Sequence, residues 1–270
     1  MTSVAWHPTA QAAAGPAILA TTSADSSCIL WDTRDAEDGG ASMEIEAETG
    51  AVPGAGRERK GRLLRTLQGH QGVVAKCEFH PSGRFIGTAG HDYSWRLWDA
   101  EYGTELQLQD GHIKECSVIT FQRDGGLVFT ADWAGVGLVW DLRAGSVVHT
   151  FQGHIKKIVN AQFSPNGFQV ATCSVDNMTR IWDIRKKKCA YALPAHSNII
   201  SDVRYSESGE LLLTSSFDGT LKIWGARDYR ILKILSGHSG KVMSCDFAKD
   251  ERKIVSAGFD RTVKIWCDKD

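Results

Sequence analysis

Histidine, aspartate, a hydroxyl side chain and tryptophan recur along this chain at fixed spacing, in a combination that could perform nucleophilic catalysis. Each histidine is followed after 18 residues by threonine or serine, after 22 by aspartate and after 28 by tryptophan. The complete sets are His70–Thr88–Asp92–Trp98, His154–Thr172–Asp176–Trp182, His196–Thr214–Asp218–Trp224 and His238–Ser256–Asp260–Trp266. A carboxylate that orients an imidazole beside a hydroxyl is the arrangement of a hydrolase triad.

The repetition of the set favours a structural role instead. An active site occurs once in a domain, whereas these sets recur at multiples of 42 residues. In a structural tetrad, the carboxylate accepts a hydrogen bond from one imidazole nitrogen, the other nitrogen meets the hydroxyl, and the hydroxyl accepts from the indole N–H. Each buried polar atom then has a partner, which avoids a penalty of about 1–3 kcal/mol per orphan. We therefore expect four structural tetrads, and no catalytic, cofactor-binding or metal-binding residues.

A fifth set is incomplete in the sequence. His112, Thr130 and Trp140 keep the spacing, but Ala134 stands at the aspartate position and Asp132 is displaced from it by two residues. We expect this unit to lack a full tetrad and to be locally weaker than the others.

The 42-residue step also predicts the elements that position these side chains. A period of 40 to 45 residues is typical of a four-stranded β-propeller blade. Turn sequences of the form HPSG (80–83), SPNG (164–167) and SESG (206–209) follow the first strand of the units that contain them. In the unit that begins at His154 we expect strands at about 158–164, 169–174, 178–183 and 188–193. The chain contains six sets of the first three strands but only five fourth strands.

The fold prediction is therefore an all-β propeller with six blades, in one domain over 1–270, whose sixth blade lacks its outer strand. Two interpretations are open, namely an open six-bladed ring with an exposed edge and, as the favoured one, a fragment of a seven-bladed ring. Two insertions interrupt the first unit. The loop at 9–17 is lengthened, and the charged, glycine- and alanine-rich segment 34–61 has almost no large apolar residues, so we expect it to be disordered.

Composition limits the class of function. The net charge of −1 gives no global attraction to nucleic acid, and no apolar run approaches 18 residues, so we expect no membrane partner. The seven cysteines show no C-x-x-C pair or metal-ligand spacing, and most of them lie in strand-like segments, where we expect them to act as small hydrophobes in a reducing compartment. A glycine-rich phosphate loop is also missing from the sequence, and we expect no small-molecule substrate.

The two ends of each unit carry a recognisable signature. Gly-His opens most units, and the third strand closes with Trp31-Asp32, Trp98-Asp99, Trp140-Asp141 and Trp182-Asp183. On these residues the chain is identified as a member of the WD-repeat family. The resemblance covers nearly the whole chain and implies a β-propeller that serves as a non-catalytic protein-interaction scaffold.

A narrower resemblance lies in particular stretches. The segments 80–99, 153–172, 181–198, 237–246 and 259–266 resemble the WD-repeat proteins of the U4/U6 small nuclear ribonucleoprotein, the pre-mRNA processing factor four family. This resemblance implies a nuclear scaffold of the spliceosomal tri-small-nuclear-ribonucleoprotein that contacts pre-mRNA processing factor three and lies close to U4/U6 RNA. The alternatives are a substrate adaptor of a ubiquitin ligase or a scaffold of another multiprotein complex, which would allow a cytoplasmic location.

One end of the propeller is the predicted partner-binding surface. The residue before the aspartate position lies on a hairpin tip, and large aromatic side chains at such tips favour an interface. The candidate residues are the tip residues His91, Trp133, Phe217 and Phe259 and the rim residues Lys76, Lys157, Asn160 and Lys241. The alternative is that some of these rings fold onto the neighbouring blade. The basic run 185–188 is predicted to be a solvated turn, with RNA contact as the alternative.

Overall fold

The computed structural model describes residues 1–8, 17–33 and 61–267. Within these ranges the strands form six separate antiparallel sheets, five of four strands and one of three. This confirms the predicted all-β architecture of six blades, which we number 1 to 6 along the chain. The predicted loop at 9–17 and the predicted disordered segment at 34–61 lie outside the described residues, apart from their last positions. No helix in the described ranges is long and apolar enough to cross a membrane.

Blades 1 to 3 each contain four strands in sequential order. Their bounds are β1 Ser3–Trp6, β2 Ile18–Thr22, β3 Ser27–Asp32 and β4 Arg62–Gln68 in blade 1; β5 Val74–Phe79, β6 Phe85–Gly90, β7 Ser94–Asp99 and β8 Glu105–Asp110 in blade 2; and β9 Cys116–Phe121, β10 Leu127–Asp132, β11 Val136–Asp141 and β12 Ser146–Gln152 in blade 3.

Blades 4 and 5 repeat this pattern, and blade 6 has three described strands. Their bounds are β13 Ile158–Phe163, β14 Gln169–Ser174, β15 Thr179–Asp183 and β16 Lys188–Leu193 in blade 4; β17 Ile200–Tyr205, β18 Leu211–Ser216, β19 Thr220–Gly225 and β20 Ile231–Ser236 in blade 5; and β21 Val242–Phe247, β22 Lys253–Gly258 and β23 Val263–Cys267 in blade 6. The four strands predicted for the unit at His154 are confirmed to within one residue.

The turn after the first strand contains glycine in blades 2 to 5. Gly83, Gly167 and Gly209 have φ of 73°, 75° and 75°, a left-handed conformation that glycine adopts without the steric cost of a Cβ atom. In HPSG, the Gly83 N–H donates to the His80 carbonyl at 2.8 Å and closes the turn. Because successive strands are antiparallel, these turns lie at one end of the sheets, the turn face, and the Gly-His loops and second hairpins lie at the other end, the loop face.

The hydrophobic core lies between successive blades. The first strand of each blade is its innermost, and its apolar side chains pack on the second and third strands of the blade before it. Cys77 and Phe79 thus join one buried cluster with Ala20, Cys28 and Leu30 of blade 1. The predicted role of cysteine as a small hydrophobe is confirmed for the five buried thiols, which are Cys28, Cys77, Cys116, Cys173 and Cys245.

Polar side chains also link neighbouring blades at the turn face. The imidazole Nε2 of His80 lies 3.0 Å from the Gly125 carbonyl of the next blade, and His7 makes the same contact with Gly83 at 3.0 Å. In blade 3, the Gln122 amide donates to the Gly167 carbonyl at 2.8 Å. These bonds fix the stacking register of successive blades, because each satisfies a carbonyl at the tip of a neighbouring turn.

Candidate functional site

All four predicted tetrads form at the loop face. In blade 2, His70 Nδ1 lies 2.9 Å from Asp92 Oδ2 and His70 Nε2 lies 2.7 Å from Thr88 Oγ1, while the Trp98 indole donates to Thr88 Oγ1 at 2.9 Å. The tetrads in blades 4, 5 and 6 repeat this geometry, with all three distances between 2.7 and 3.0 Å. Both ring nitrogens are therefore engaged inside the protein, in the arrangement expected of a structural network.

The tetrad carboxylates of blades 2, 4, 5 and 6 also hold two loops together. Asp92 Oδ2 accepts the backbone N–H of Gln71 at 2.9 Å, and Asp92 Oδ1 accepts the Ser94 hydroxyl at 2.8 Å. In blade 4, Asp176 accepts the N–H groups of Ile155 at 3.2 Å and of Met178 at 3.0 Å. The tetrads thereby fix the positions of the Gly-His loops and hairpin tips on the loop face.

The expectation that blade 3 lacks a full tetrad is wrong. Asp132 Oδ2 lies 3.1 Å from His112 Nδ1, and the hydroxyl of Thr130 meets His112 Nε2 and the Trp140 indole at 2.8 Å each. Asp132 Oδ1 also accepts the N–H groups of Ala134 at 2.9 Å and Val136 at 3.0 Å. The displaced carboxylate therefore takes the place of the usual one in the hydrogen bond to the histidine.

The geometry of the neighbouring blade explains this substitution. Asp132 occupies the last position of β10, which corresponds to Gly90 at the end of β6. A Cβ atom on Gly90 would lie 2.3 Å from His70 Nδ1 and 2.6 Å from Asp92 Oδ1. A side chain at this position therefore points into the tetrad, and in blade 3 an aspartate there fills the space that glycine leaves open in blade 2.

Hydrogen bonding lowers the pKa of the tetrad carboxylates. Burial is the largest single influence and raises the pKa of Asp176, but the hydrogen bond and electrostatic attraction of His154, together with the backbone N–H groups of Met178 and Ile155, outweigh it and lower this pKa from 3.8 to about 2. Burial likewise raises the pKa values of Asp92 and Asp218, and their hydrogen bonds and histidine partners lower these pKa values by more. Burial also lowers the pKa of His196, which favours the uncharged ring.

We expect stability to fall as the pH drops from about 4 towards 2. Because the pKa of Asp176 is lower in the folded chain, the unfolded chain binds more protons in this window, so protonation favours unfolding. The contribution of ionised Asp176 to the free energy of unfolding is present above pH 3.8 and is lost as the pH falls through about 2. Urea unfolding at pH 6, 4 and 3 measures the change in this free energy. Asp176→Asn, which lacks the titrating group, is expected to lose less stability between pH 4 and 3, and an unchanged pH dependence in this variant would contradict the assignment.

The hairpin tip of blade 3 carries an aromatic side chain between two neighbouring blades. Trp133 is partly exposed, and its ring makes a T-shaped contact with the His91 ring of blade 2, with 5.0 Å between centroids. On the other side the Lys157 Nζ of blade 4 lies 4.1 Å from the Trp133 ring centroid, a distance at which a cation–π attraction operates. Burial lowers the pKa of Lys157. The structure thus brings three of the predicted partner-binding residues into one cluster.

The remaining tip residues lie in blades 5 and 6. Phe217 is half-buried beneath Lys241, whose Nζ is 4.9 Å from the ring centroid, whereas Phe259 is 74% exposed. Part of the predicted surface is therefore covered by its own lysine side chains. A partner-binding role for these residues stays a prediction.

Sequence reasoning missed two exposed isoleucines on the same face. Ile113 and Ile155 each follow the histidine of a Gly-His loop and are 75% and 82% exposed. The corresponding residues of the other units are Gln71, Ser197 and Ser239. The sequence could therefore have revealed Ile113 and Ile155, because they are apolar at a repeat position that is polar in the other units. The hairpin of Trp133 lies between these loops. Its backbone N–H donates to the Glu115 carbonyl at 3.1 Å, and a Cβ atom on Gly135 would lie 2.8 Å from the His154 carbonyl.

Lys76 and Asn160 lie on the innermost strands and bond to each other. Lys76 Nζ donates to Asn160 Oδ1 at 2.6 Å, Asn160 Nδ2 donates to Asp202 Oδ1 at 2.5 Å, and the Ser244 hydroxyl donates to Asp202 Oδ2 at 2.6 Å. This chain of bonds joins blades 2, 4, 5 and 6, and burial lowers the pKa of Lys76. The two residues are thus engaged within the propeller, and their role in partner binding stays a prediction.

Residues 185–187 of the basic run 185–188 lie in the turn between β15 and β16, as predicted, and Lys188 begins β16. The Arg185 guanidinium lies 4.1 Å from the centroid of the Phe168 ring. Contact between this turn and RNA stays a prediction. Among the described residues, no group of three histidine, cysteine, aspartate or glutamate side chains is placed to hold a metal ion.

A family model described as WD domain, G-beta repeat (WD40) matches five segments of the chain. They are residues 1–32, 61–99, 145–183, 187–225 and 229–267. Together they cover well over half of the sequence and fall on blades 1, 2, 4, 5 and 6. The unmatched residues between 99 and 145 include most of blade 3, in which the aspartate of the tetrad is displaced.

Curated proteins match shorter parts of the chain. It is 54% identical over 50 residues to the U4/U6 small nuclear ribonucleoprotein PRP4 of Saccharomyces cerevisiae, which covers 18% of this chain and 11% of that protein. It is 32% identical over 90 residues to a guanine nucleotide-binding protein subunit beta of Arabidopsis thaliana, covering 33% and 18%. It is 36% identical over 62 residues to the nuclear distribution protein nudF of Aspergillus niger, covering 22% and 14%. The chain thus covers less than a fifth of the length of each of these three relatives.

Proposed function

This chain belongs to the WD domain, G-beta repeat (WD40) family, and we propose that it is a non-catalytic scaffold subunit of a U4/U6 small nuclear ribonucleoprotein acting in pre-mRNA splicing in the nucleus. WD40 repeats mediate protein–protein interactions in multiprotein complexes, so a scaffold role follows from the family itself. The finer assignment rests on the similarity to PRP4, which has the highest identity of the three relatives named above. Pre-mRNA processing factor three is the protein partner that we propose, with U4/U6 RNA nearby.

The observation that carries the scaffold role is the cluster on the loop face of blades 2 to 4. Ile113 and Ile155 are almost fully exposed on either side of the Trp133 hairpin. Large apolar side chains grouped in water on a rigid surface are typical of an interface, and tryptophan is among the residues most enriched at its energetic centre. We call Ile113, Trp133 and Ile155 the Ile–Trp patch.

The charges beside the Ile–Trp patch indicate the chemistry of its partner. Lys114 and Lys156 directly follow the two isoleucines and are exposed, and Lys157 lies over the Trp133 ring. A partner segment that combines apolar side chains with acidic residues complements this surface, because the apolar groups cover the patch and the carboxylates meet the lysines.

We expect the double variant Ile113→Asp/Ile155→Asp to lose its partners while it stays folded. Both side chains are exposed, so the fold does not depend on them, but a carboxylate buried in the interface would carry a large desolvation cost. The tagged chain is expressed in cells and purified, and the co-purified proteins and RNAs are identified. The wild-type chain is expected to recover U4 and U6 RNA with splicing proteins, and the variant at least tenfold less of both.

A matched control tests whether the effect belongs to the Ile–Trp patch. Leu232→Asp/Ile234→Asp makes the same chemical change at two exposed positions of the outer strand β20 and is expected to recover partners as the wild type does. Recovery of cullin-associated proteins or coat proteins without small nuclear RNA would overturn the splicing assignment. Equal recovery by both double variants would overturn the proposed surface.

A further inference from the structure

An arginine near the start of the third strand occurs in both blade 2 and blade 4, in the same surroundings. Arg96 of blade 2 forms an ion pair with Glu105 of the outer strand β8. Arg180 of blade 4 occupies the same repeat position, two periods later. A Cβ atom on Gly69 would lie 2.7 Å from Arg96 Nη1, and one on Gly153 would lie 3.5 Å from Arg180 Nη1. The two guanidinium groups therefore lie beside equivalent Gly-His loops.

Blade 4 has no carboxylate at the position of Glu105. The cross-strand partner of Trp98 is Glu105, whereas that of Trp182 is Cys189. Arg180 Nη1 lies 3.8 Å from the Cys189 sulfur. The buried Nε atom of Arg180 has no hydrogen-bond partner within the described residues, which is costly for a charged group. The arginine of blade 4 thus lacks the carboxylate that the repeat places beside the arginine of blade 2.

Cys189 lines an open groove between the outer strands of blades 3 and 4. The groove has a volume of about 510 Å³, within the range of about 300–1,000 Å³ that is typical of ligand sites. His149 of β12 lines it from blade 3, and Lys187 and Lys188 line it from blade 4. None of the described side chains that line it is acidic. We call His149, Lys187, Lys188 and Cys189 the basic groove.

The edge of β12 favours a polypeptide as the occupant of the basic groove. In its sheet β12 pairs only with β11, so the N–H and C=O groups on its other edge are available to an extended segment. The rings of Phe151 and Trp182 stack on each other with 4.9 Å between centroids and are 2% and 3% exposed. They offer no free face for nucleobases, on which the binding of single-stranded nucleic acid depends.

We propose that the basic groove binds an extended acidic segment of a partner protein, with one carboxylate meeting Arg180 as Glu105 meets Arg96 in blade 2. Other carboxylates of the segment meet Lys187 and Lys188, and its backbone pairs with the free edge of β12. The charge of the groove and that of the segment are complementary. This surface lies on the perimeter of the propeller, whereas the Ile–Trp patch lies on the loop face, so the proposal does not depend on that patch.

Fluorescence anisotropy of a labelled twelve-residue peptide of alternating valine and glutamate tests the proposal. The wild-type chain is expected to bind this peptide at least tenfold more tightly than the matching peptide of valine and glutamine, because bonds between charged groups are the stronger ones. The affinity is expected to fall as the salt concentration rises. Cys189→Glu is expected to bind the glutamate peptide at least tenfold more weakly, since its own carboxylate then pairs with Arg180.

A matched control separates this pairing from a general effect of charge. Ile231→Glu adds the same carboxylate at the equivalent position of blade 5 and is expected to bind the glutamate peptide as the wild type does. Lys187→Gln/Lys188→Gln changes two exposed side chains and is expected to weaken binding at least tenfold. This double variant tests the groove if Cys189→Glu fails to fold, and thermal unfolding shows whether each variant is folded.

Three results would overturn the proposal. The first is equal affinity of the wild type for the two peptides, including the binding of neither. The second is equal binding of the glutamate peptide by the wild type and by folded Cys189→Glu or Lys187→Gln/Lys188→Gln. The third is tighter binding of a twelve-nucleotide oligouridylate that displaces the peptide, which would assign the groove to RNA. The assay contains no splicing protein, so its outcome is independent of the splicing assignment.

Discussion

Replacing Asp132 with alanine is expected to lower the free energy of unfolding by about 3 kcal/mol, because removing one partner of a buried hydrogen-bonded pair leaves the other unsatisfied. The carboxylate is fully buried and bonds to His112 and to the backbone N–H groups of Ala134 and Val136. Urea unfolding followed by tryptophan fluorescence measures the loss. Asp124→Ala, which removes an exposed carboxylate from the same blade, is expected to change stability by no more than about 0.5 kcal/mol.

A compensating pair of changes makes this prediction specific. Asp132→Gly with Ala134→Asp converts the end of β10 to the arrangement of Gly90 and Asp92 in blade 2. If Asp132 replaces the hairpin carboxylate as the hydrogen-bond partner of His112, the double variant is expected to regain at least half of the stability that Asp132→Ala loses. A loss below about 1 kcal/mol for Asp132→Ala, or a double variant no more stable than it, would show that the blade does not depend on this carboxylate.

The second large effect is expected at Gly125, for which alanine should cost about 2–3 kcal/mol. Gly125 has φ of 79°, and a Cβ atom there would lie 2.3 Å from His80 Nε2. The left-handed conformation costs an L-residue about 1–2 kcal/mol, and displacing His80 breaks its bond to the Gly125 carbonyl, worth about 1 kcal/mol. Thermal and urea unfolding of the purified Gly125→Ala variant measure the total loss in the free energy of unfolding.

The adjacent glycine is a matched control for Gly125. A Cβ atom on Gly126 would have its nearest neighbour at 3.8 Å, the carboxylate of Asp124, and no positive φ is found there. Gly126→Ala is therefore expected to be neutral or to stabilise the protein slightly by restricting the unfolded chain. Similar losses for the two variants would contradict the role assigned to the contact between His80 and the turn of blade 3.

The fold and the tetrads could be predicted from the sequence because both are periodic. A step of 42 residues fixes which residues share a position in each blade, and the local geometry then repeats, as it does for His70 and His154. The prediction for blade 3 was wrong because it assumed that the carboxylate must come from the hairpin. A side chain two residues earlier, at the end of β10, points at the same imidazole.

The exposure of side chains on the loop face could be predicted less completely, since it depends on neighbours that spacing does not reveal. Phe217 occupies a tip, as expected, yet Lys241 covers part of it. Ile113 and Ile155 were missed because they fall outside the positions that define the repeat. The bond between Lys76 and Asn160 could not be predicted from the sequence either, because it joins blades that are not neighbours in the chain.

That bond bears on how the molecule unfolds. A stack of blades that contact only their neighbours behaves as a one-dimensional array, in which each unit opens at a cost set by its own stability and two interfaces. The ammonium group of Lys76 bypasses blade 3 and holds Asn160 of blade 4, which in turn holds Asp202 of blade 5. Blades 2 and 4 are consequently coupled even when blade 3 frays, and this polar bridge raises the cooperativity of an otherwise linear chain.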